Sequence, residues 1–237
     1  MCIRDRSNSK KFLFVHIAKA GGSTLSRVLS IYSGNSPVVI DVDVRGDARF
    51  YNHDCMCDMM CTDEKKASFF SQHHVPIKHV KYINLEDYFK FVFVRNPFDR
   101  IASTWEIPFL KFRYSFDEFV EIDTSDVVNP NKYYRKCDWL ANTQYDIVSD
   151  NDKLLVDYVG KYENIDEDFE YVRKKLEIPK KVRLMGDRGP VDYGILPRIN
   201  KTVKKDHGHY RDYFNERTRG LVEKYYKKDL EVFEYEF

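Results

Sequence analysis

Residues 88–95, YFKFVFVR, run directly into NPFDRIASTWEI, and this junction constrains the fold more than any other stretch. The first segment is apolar nearly throughout, as a central parallel strand buried on both faces should be. Asn96 then stands where a helix cap belongs. Pro97 falls at the first helical position, which tolerates its fixed φ and missing N–H. Phe98, Ile101, Ala102 and Trp105 recur at helical spacing, and Pro108 ends or kinks the helix. A buried strand that feeds straight into a helix commits the chain to crossover connections and a parallel sheet.

A second junction of the same kind lies upstream. KFLFVHI (11–17) reads as a strand, and STLSRVLSIY (23–32) as a helix that puts Leu25, Val28, Leu29 and Tyr32 on one face, with Ser23 or Thr24 as its cap. SPVVIDVDV (36–44) reads as a further strand, whereas 45–75 is polar and shows no period. Ser115 and Glu118 form a capping box at the start of SFDEFVEI (115–122), and 123–137 reads as loop. KLLVDYVGKYENI (153–165) is expected to be a strand running into a turn. The next segment, 166–178, places acidic residues first and basic residues last, which complements a helix dipole. A final helix is expected over 215–230, starting at Asn215 and burying Leu221, Val222, Tyr225 and Leu230. The expectation is an α/β fold, one domain over 11–237 with a central parallel sheet flanked by helices, and 1–10 set aside as a disordered tail or artefact.

Charge narrows the ligand. Lys and Arg number 39 against 38 Asp and Glu, so nothing in the net charge calls for nucleic acid, and any anion site must be a local cluster. No apolar run approaches a membrane span, and MCIRDRSNSKK lacks the h-region of a secretory signal, so the chain as given is expected to be cytoplasmic. Cys55, Cys57 and Cys61 in DCMCDMMC admit two readings: reduced thiols in a loop, or a zinc site completed by His53. No second C-x-x-C pair supports the latter, and no metal is assigned.

Ligands of parallel sheets bind outside the carboxyl ends of the strands. At the first such end, in FVHIAKAGGSTL, Gly21 and Gly22 allow a tight turn and close backbone approach. Successive N–H groups at a helix start favour an anion. Ser23 and Thr24 add hydroxyls, and Lys19 can reach the same anion from the side. At the second end, Arg95 closes an apolar run, where a cation is costly unless something anionic meets it. That anion is either a ligand or a neighbouring carboxylate such as Asp99 or Asp87. Ser103 lies on the following helix, and Arg100 is expected on its solvated surface. Two anion-binding corners at the ends of two strands suit a nucleotide phosphorylated at both its 5′ and 3′ ends.

FVHIAKAGGSTL resembles the 5′-phosphosulfate loop of PAPS-dependent sulfotransferases, and FKFVFVRNPFDRIASTW resembles their 3′-phosphate motif. The wording is nearest the carbohydrate group that includes heparan 2-O- and chondroitin-type enzymes, and the likeness extends through PRINKT to the C-terminal segment. The resemblance implies a fold related to P-loop kinases and 3′-phosphoadenosine 5′-phosphosulfate (PAPS) as donor. It further implies metal-free transfer of a sulfuryl group to a hydroxyl of a carbohydrate or other acceptor. Carried over by position, Lys19 would contact the bridging oxygen, Ala20, Gly21, Gly22, Ser23 and Thr24 would hold the 5′-phosphate, and Arg95 and Ser103 the 3′-phosphate. Arg198 and Lys201 of PRINKT would lie near the adenosine or 3′-phosphate. Ala18 and Ala20 replace the proline and threonine usual in the loop.

Transfer to a hydroxyl also needs a base. His73 and His74 in SQHH are the candidates, which the sequence does not separate, and Glu106 is the fallback. His16 reads as a core histidine. The basic run 198–211 suits either an anionic ligand or a solvated loop. Two other functions fit parts of the pattern. A P-loop-type nucleotide kinase would want the lysine after the glycines, in a G-K-[ST] that is absent. An inactive nucleotide-binding protein would not need Lys19.

Overall fold

Residues 89–94 form the strand on which the other layers rest. The computed structural model describes residues 5–29, 32, 38–42, 48–51, 77, 86–125, 143–183, 190–192 and 209–237. Within these, β1 (Asp5–Ser7), β2 (Phe12–Val15), β5 (Phe89–Val94) and β8 (Tyr158–Lys161) make one sheet in the order β1-β2-β5-β8. β2, β5 and β8 run parallel, and β1 adds an antiparallel edge. The protein is therefore α/β, with a central parallel three-stranded sheet flanked by helices. Two antiparallel pairs stand apart from this sheet among the described residues: β3 (Val38–Val42) with β4 (Ala48–Tyr51), and β9 (Lys181–Arg183) with β10 (Pro190–Asp192). A third pair, β6 (Ser149–Asp150) with β7 (Lys153–Leu154), is a tight hairpin.

Alternation along the strands divides the core. Phe12, Phe14, Phe91 and Phe93 point to one face, where α1 (Gly22–Leu29) contributes Leu25, Val28 and Leu29 and α6 (Ile165–Lys175) contributes Phe169 and Val172. Leu13, Val15, Val92 and Val94 point to the other, against Ile147 and Val148 of α5 (Gln144–Val148) and Phe233. Side chains of period two thus bury both faces of β5, as its unbroken apolar run requires. A third cluster joins α2 (Pro97–Trp105), α3 (Pro108–Arg113) and α4 (Phe116–Asp123) to α7 (Glu216–Tyr225) through Phe98, Ile101, Leu110, Phe119 and Val222.

The helix starts follow local chemistry. Asn96 Oδ1 accepts from Phe98 N–H at 3.0 Å, with Pro97 next in line. Ser115 and Glu118 close the expected capping box, and Asn215 forms another with Thr218.

Several expectations are corrected. Asp5–Ser7 is a paired edge strand with Ser7 buried, so those residues of the segment set aside as a tail belong to the sheet. β4 lies in a stretch read as irregular, and β3 pairs with it rather than joining the parallel sheet. The α1 helix begins at Gly22, so Ser23 and Thr24 sit inside its first turn rather than capping it. The last helix breaks at Tyr226 into α7 and α8 (Lys227–Val232). That break buries Tyr226, with its hydroxyl donating to Asp123 Oδ2 at 2.5 Å, and leaves Tyr225 only half-buried. The cysteine cluster and His53 lie outside the described residues.

Phe91 packs with Phe12, Phe14, Phe89 and Phe93 at centroid distances of 5.2–6.5 Å around the sheet centre. Phe91→Ala is expected to remove about 3–5 kcal/mol of unfolding free energy. Urea denaturation would show this as a lower midpoint with an unchanged slope.

Candidate active site

The two junctions meet. After β2 the chain turns through His16–Gly22 into α1, and after β5 it turns through Arg95–Asn96 into α2. Arg95 reaches across with Nη1, which donates to the Lys19 carbonyl at 2.9 Å. Its Nε donates to Asp99 Oδ2 at 2.8 Å, and the guanidinium lies 4.4 Å from the centroid of Tyr162, the residue after β8. All three parallel strand ends therefore converge on Arg95. Two of its five N–H donors have acceptors among the described residues, which leaves further donor capacity on the guanidinium. Of the two readings of Arg95, the carboxylate partner is seen, and it is Asp99; the guanidinium also lies against the Lys19 carbonyl.

A second arginine secures the same loop. Arg100 is buried, and its Nε donates to the Ala18 carbonyl at 3.2 Å. This corrects the surface position expected for it. Successive carbonyls at 18 and 19 are thus held by two arginines from the β5–α2 junction. The loop needs such support because Lys19 has φ 64°, a left-handed conformation that costs a non-glycine residue about 1–2 kcal/mol.

The two glycines act differently. Gly21 has φ +80°, and a Cβ there would lie 2.7 Å from Ile165 Cδ1 and 3.0 Å from Tyr162 Cδ2. Gly22 has ordinary helical backbone, but a Cβ would lie 1.9 Å from His16 Nε2. His16 is half-buried just past β2, stacked on Phe14 at 5.9 Å, and so packs directly under the helix start. Thr24 N–H and Leu25 N–H already donate to the Gly21 carbonyl at 3.0 and 3.3 Å, so Gly22 and Ser23 supply the first N–H groups of α1 that lack an intrahelical acceptor. Ser23 is exposed, Thr24 is buried, and Ala20 packs its methyl into the core with Ile17 and Val94. Asp99 and Ser103 are four residues apart on α2 and share a face, so half-buried Ser103 lies one turn beyond the carboxylate that holds Arg95.

Electrostatics single out Lys19. Burial and the adjacent Arg95 charge push its pKa below the ordinary 10.5, opposed by Glu106. Glu106 Oε1 accepts from the Tyr213 hydroxyl at 3.0 Å and from Lys111 Nζ at 3.3 Å. Burial and this hydrogen bond push Tyr213 up to about 12. The arrangement gathers a partly desolvated ammonium, a guanidinium and a helix start at the ends of the parallel strands, a set of groups whose chemistry suits an anion.

His73, His74, Arg198 and Lys201 lie outside the described residues, so the described site comprises residues 16–24, Arg95, Ser103 and their supports. Sequence reasoning missed Tyr162 and Glu163, although both follow a parallel strand's carboxyl end, the position from which they could have been found. Glu163 Oε1 accepts from Asn96 N–H at 2.8 Å and its Oε2 from the Tyr235 hydroxyl at 2.8 Å.

Residues 5–236 match the Sulfotransferase family, and the chain belongs to that family. Its general chemistry is sulfuryl transfer to a hydroxyl-bearing acceptor. A protein of Archaeoglobus fulgidus described as uncharacterized is 32% identical over 97 residues, 41% of this chain and 74% of that protein. The L-cysteine:1D-myo-inositol 2-amino-2-deoxy-alpha-D-glucopyranoside ligase 2 of Corynebacterium jeikeium is 37% identical over 90 residues, 34% of this chain. This chain spans only 22% of that ligase, too small a share for the ligase's activity to bear on it. No solved structure matches the chain. Among the described residues, no helix is long and apolar enough to cross a membrane.

Two outcomes follow. Gly22→Ala is expected to cost about 1–3 kcal/mol through overpacking against His16, and His16→Ala in the same chain should recover part of it, a coupling that a double-mutant cycle of denaturation energies measures. Lys19→Met should raise stability at neutral pH, because the fold disfavours the charged ammonium. A lysine with a lowered folded-state pKa binds fewer protons folded than unfolded, so the wild type should gain on Lys19→Met as pH rises from the folded pKa towards 10.5.

Proposed function

We propose that the protein transfers a sulfuryl group from PAPS to a hydroxyl of a carbohydrate acceptor. The observation that supports this most is the hydrogen bond from Arg95 to the Lys19 carbonyl, because it brings the two candidate anion corners side by side. The residues present fit such a donor. Gly21 and Gly22 let the chain turn tightly against Ile165, Tyr162 and His16 ahead of the helix start, and Lys19 is already stripped of part of its water.

PAPS would supply an activated sulfuryl group on a phosphate leaving group. The start of α1, with Ser23 and Thr24, binds the 5′-phosphate through N–H and hydroxyl donors. Lys19 stabilises the charge that grows on the bridging oxygen as the bond to sulfur breaks. Arg95 and Ser103 hold the 3′-phosphate, and Arg198 and Lys201 add contacts on the same nucleotide. His73 or His74 takes the acceptor proton. In this reading the protein's own cations and amides balance the charge, and no metal step is required.

Adenosine 3′,5′-bisphosphate should raise the melting temperature without Mg²⁺, and ATP should do so much less; the reverse order would favour a nucleotide kinase. Lys19→Ala is expected to lower kcat by about 10²–10³ while the fold persists; unchanged turnover would remove its assigned role. His73→Ala and His74→Ala, assayed separately with labelled PAPS on a glycan panel, should single out one base. Full activity in both would move the base elsewhere.

A further inference from the structure

Arg95 stands one residue beyond the end of β5, where the sheet no longer supplies partners for its backbone. Buried backbone groups left there would be costly. Gln144, the first residue of α5 and fully buried, takes both. Its Oε1 accepts from Arg95 N–H at 2.9 Å, and its Nε2 donates to Arg95 O at 2.7 Å. A side-chain amide here does what a neighbouring strand would do, for one residue.

The amide is itself fixed. Gln144 Nε2 also donates to Asp229 Oδ2 at 3.2 Å, and Asp229, fully buried on α8, accepts from Gln144 N–H at 2.9 Å and Tyr145 N–H at 2.8 Å. Turning the amide over would set its oxygen against a carbonyl and a carboxylate, and its NH₂ against an N–H. The network therefore admits one orientation. A chain of contacts runs from Asp229 through Gln144 to Arg95, and from the Arg95 guanidinium to the Lys19 carbonyl.

We propose that Gln144 and Asp229 are positioning residues for Arg95, and that the protein's preference for a nucleotide bearing a 3′-phosphate depends on them. Without the amide the Arg95 N–H and carbonyl lose their partners, and the guanidinium is left to Asp99, the Lys19 carbonyl and Tyr162 on a backbone no longer anchored at the strand end. The 5′-phosphate corner touches the relay only at the Lys19 carbonyl; Arg100 on the Ala18 carbonyl and the packing of Ile165 and Tyr162 against Gly21 hold it besides, so it should feel the loss of the amide less. The proposal rests on the reading that Arg95 receives the 3′-phosphate.

The test titrates the full chain with adenosine 3′,5′-bisphosphate and with adenosine 5′-monophosphate. Wild type, Arg95→Lys, Gln144→Leu and Asp229→Asn are compared, with melting curves for each. Wild type should prefer the bisphosphate and Arg95→Lys should lose that preference; otherwise the reading of Arg95 fails, and the proposal with it. Given that preference, Gln144→Leu should lose about tenfold in bisphosphate affinity, the order of one charge-assisted hydrogen bond, and less than about twofold for the monophosphate. Asp229→Asn should shift the same ratio by less. An unchanged ratio, or equal loss of both ligands, overturns the relay. Should Gln144→Leu fail to fold, Gln144→Asn keeps the amide but is one methylene short. Amide exchange at Arg95 should then quicken while that of Phe93 stays slow, and equal exchange in variant and wild type overturns the proposal.

Discussion

Everything at the candidate site depends on two arginines that hold neighbouring carbonyls of one loop. Arg95 takes the carbonyl of Lys19, and Arg100 takes that of Ala18. Both come from the junction between β5 and α2, so the loop after β2 has no fixed shape apart from the strand beside it. The left-handed backbone at Lys19 is affordable only because these bonds and the packing of Tyr162 and Ile165 against Gly21 over-determine it. A central strand buried on both faces supplies the rigid base, and the candidate site sits at its end.

Cations are concentrated where the fold can least hydrate them. Lys19 loses water to burial and lies beside the Arg95 charge, and both effects disfavour its ammonium. Asp99, one turn before Ser103, offsets part of the Arg95 charge, and Glu106, held by Tyr213 and Lys111, offsets part of the Lys19 burden. Such a site is a cost to folding that an anion, if it is the ligand proposed above, would offset by meeting donors already oriented and partly dry. The stability has to come from elsewhere. It comes from the aromatic stack across β2 and β5, and from the C-terminal helices, whose Asp229 and Tyr226 reach back to α5 and α4.

The fold was legible where one physical demand dominated. An apolar run of both parities marked β5 as central, Asn96–Pro97 marked the start of α2, and Ser115 with Glu118 marked α4. The glycine pair and Lys19 were legible as a candidate site because their backbone freedom and charge have few other uses. The supports were not. Arg100 looks like a surface residue because helical spacing says nothing of a carbonyl in another loop. Gln144 and Asp229 are 85 positions apart and meet only through a buried amide. The break at Tyr226 came from a tertiary contact with Asp123, which local propensity does not encode. β1 was missed because three polar residues make a strand only when an edge is offered to them.

The central claim is that the ends of β2 and β5 form one site for a nucleotide phosphorylated at both ends. A crystal structure with adenosine 3′,5′-bisphosphate tests it most directly. The account predicts the 5′-phosphate against the amides of residues 21–23 with Lys19 beside it, and the 3′-phosphate on Arg95 and Ser103. A nucleotide bound elsewhere, or one whose 3′-phosphate points away from Arg95, would contradict it.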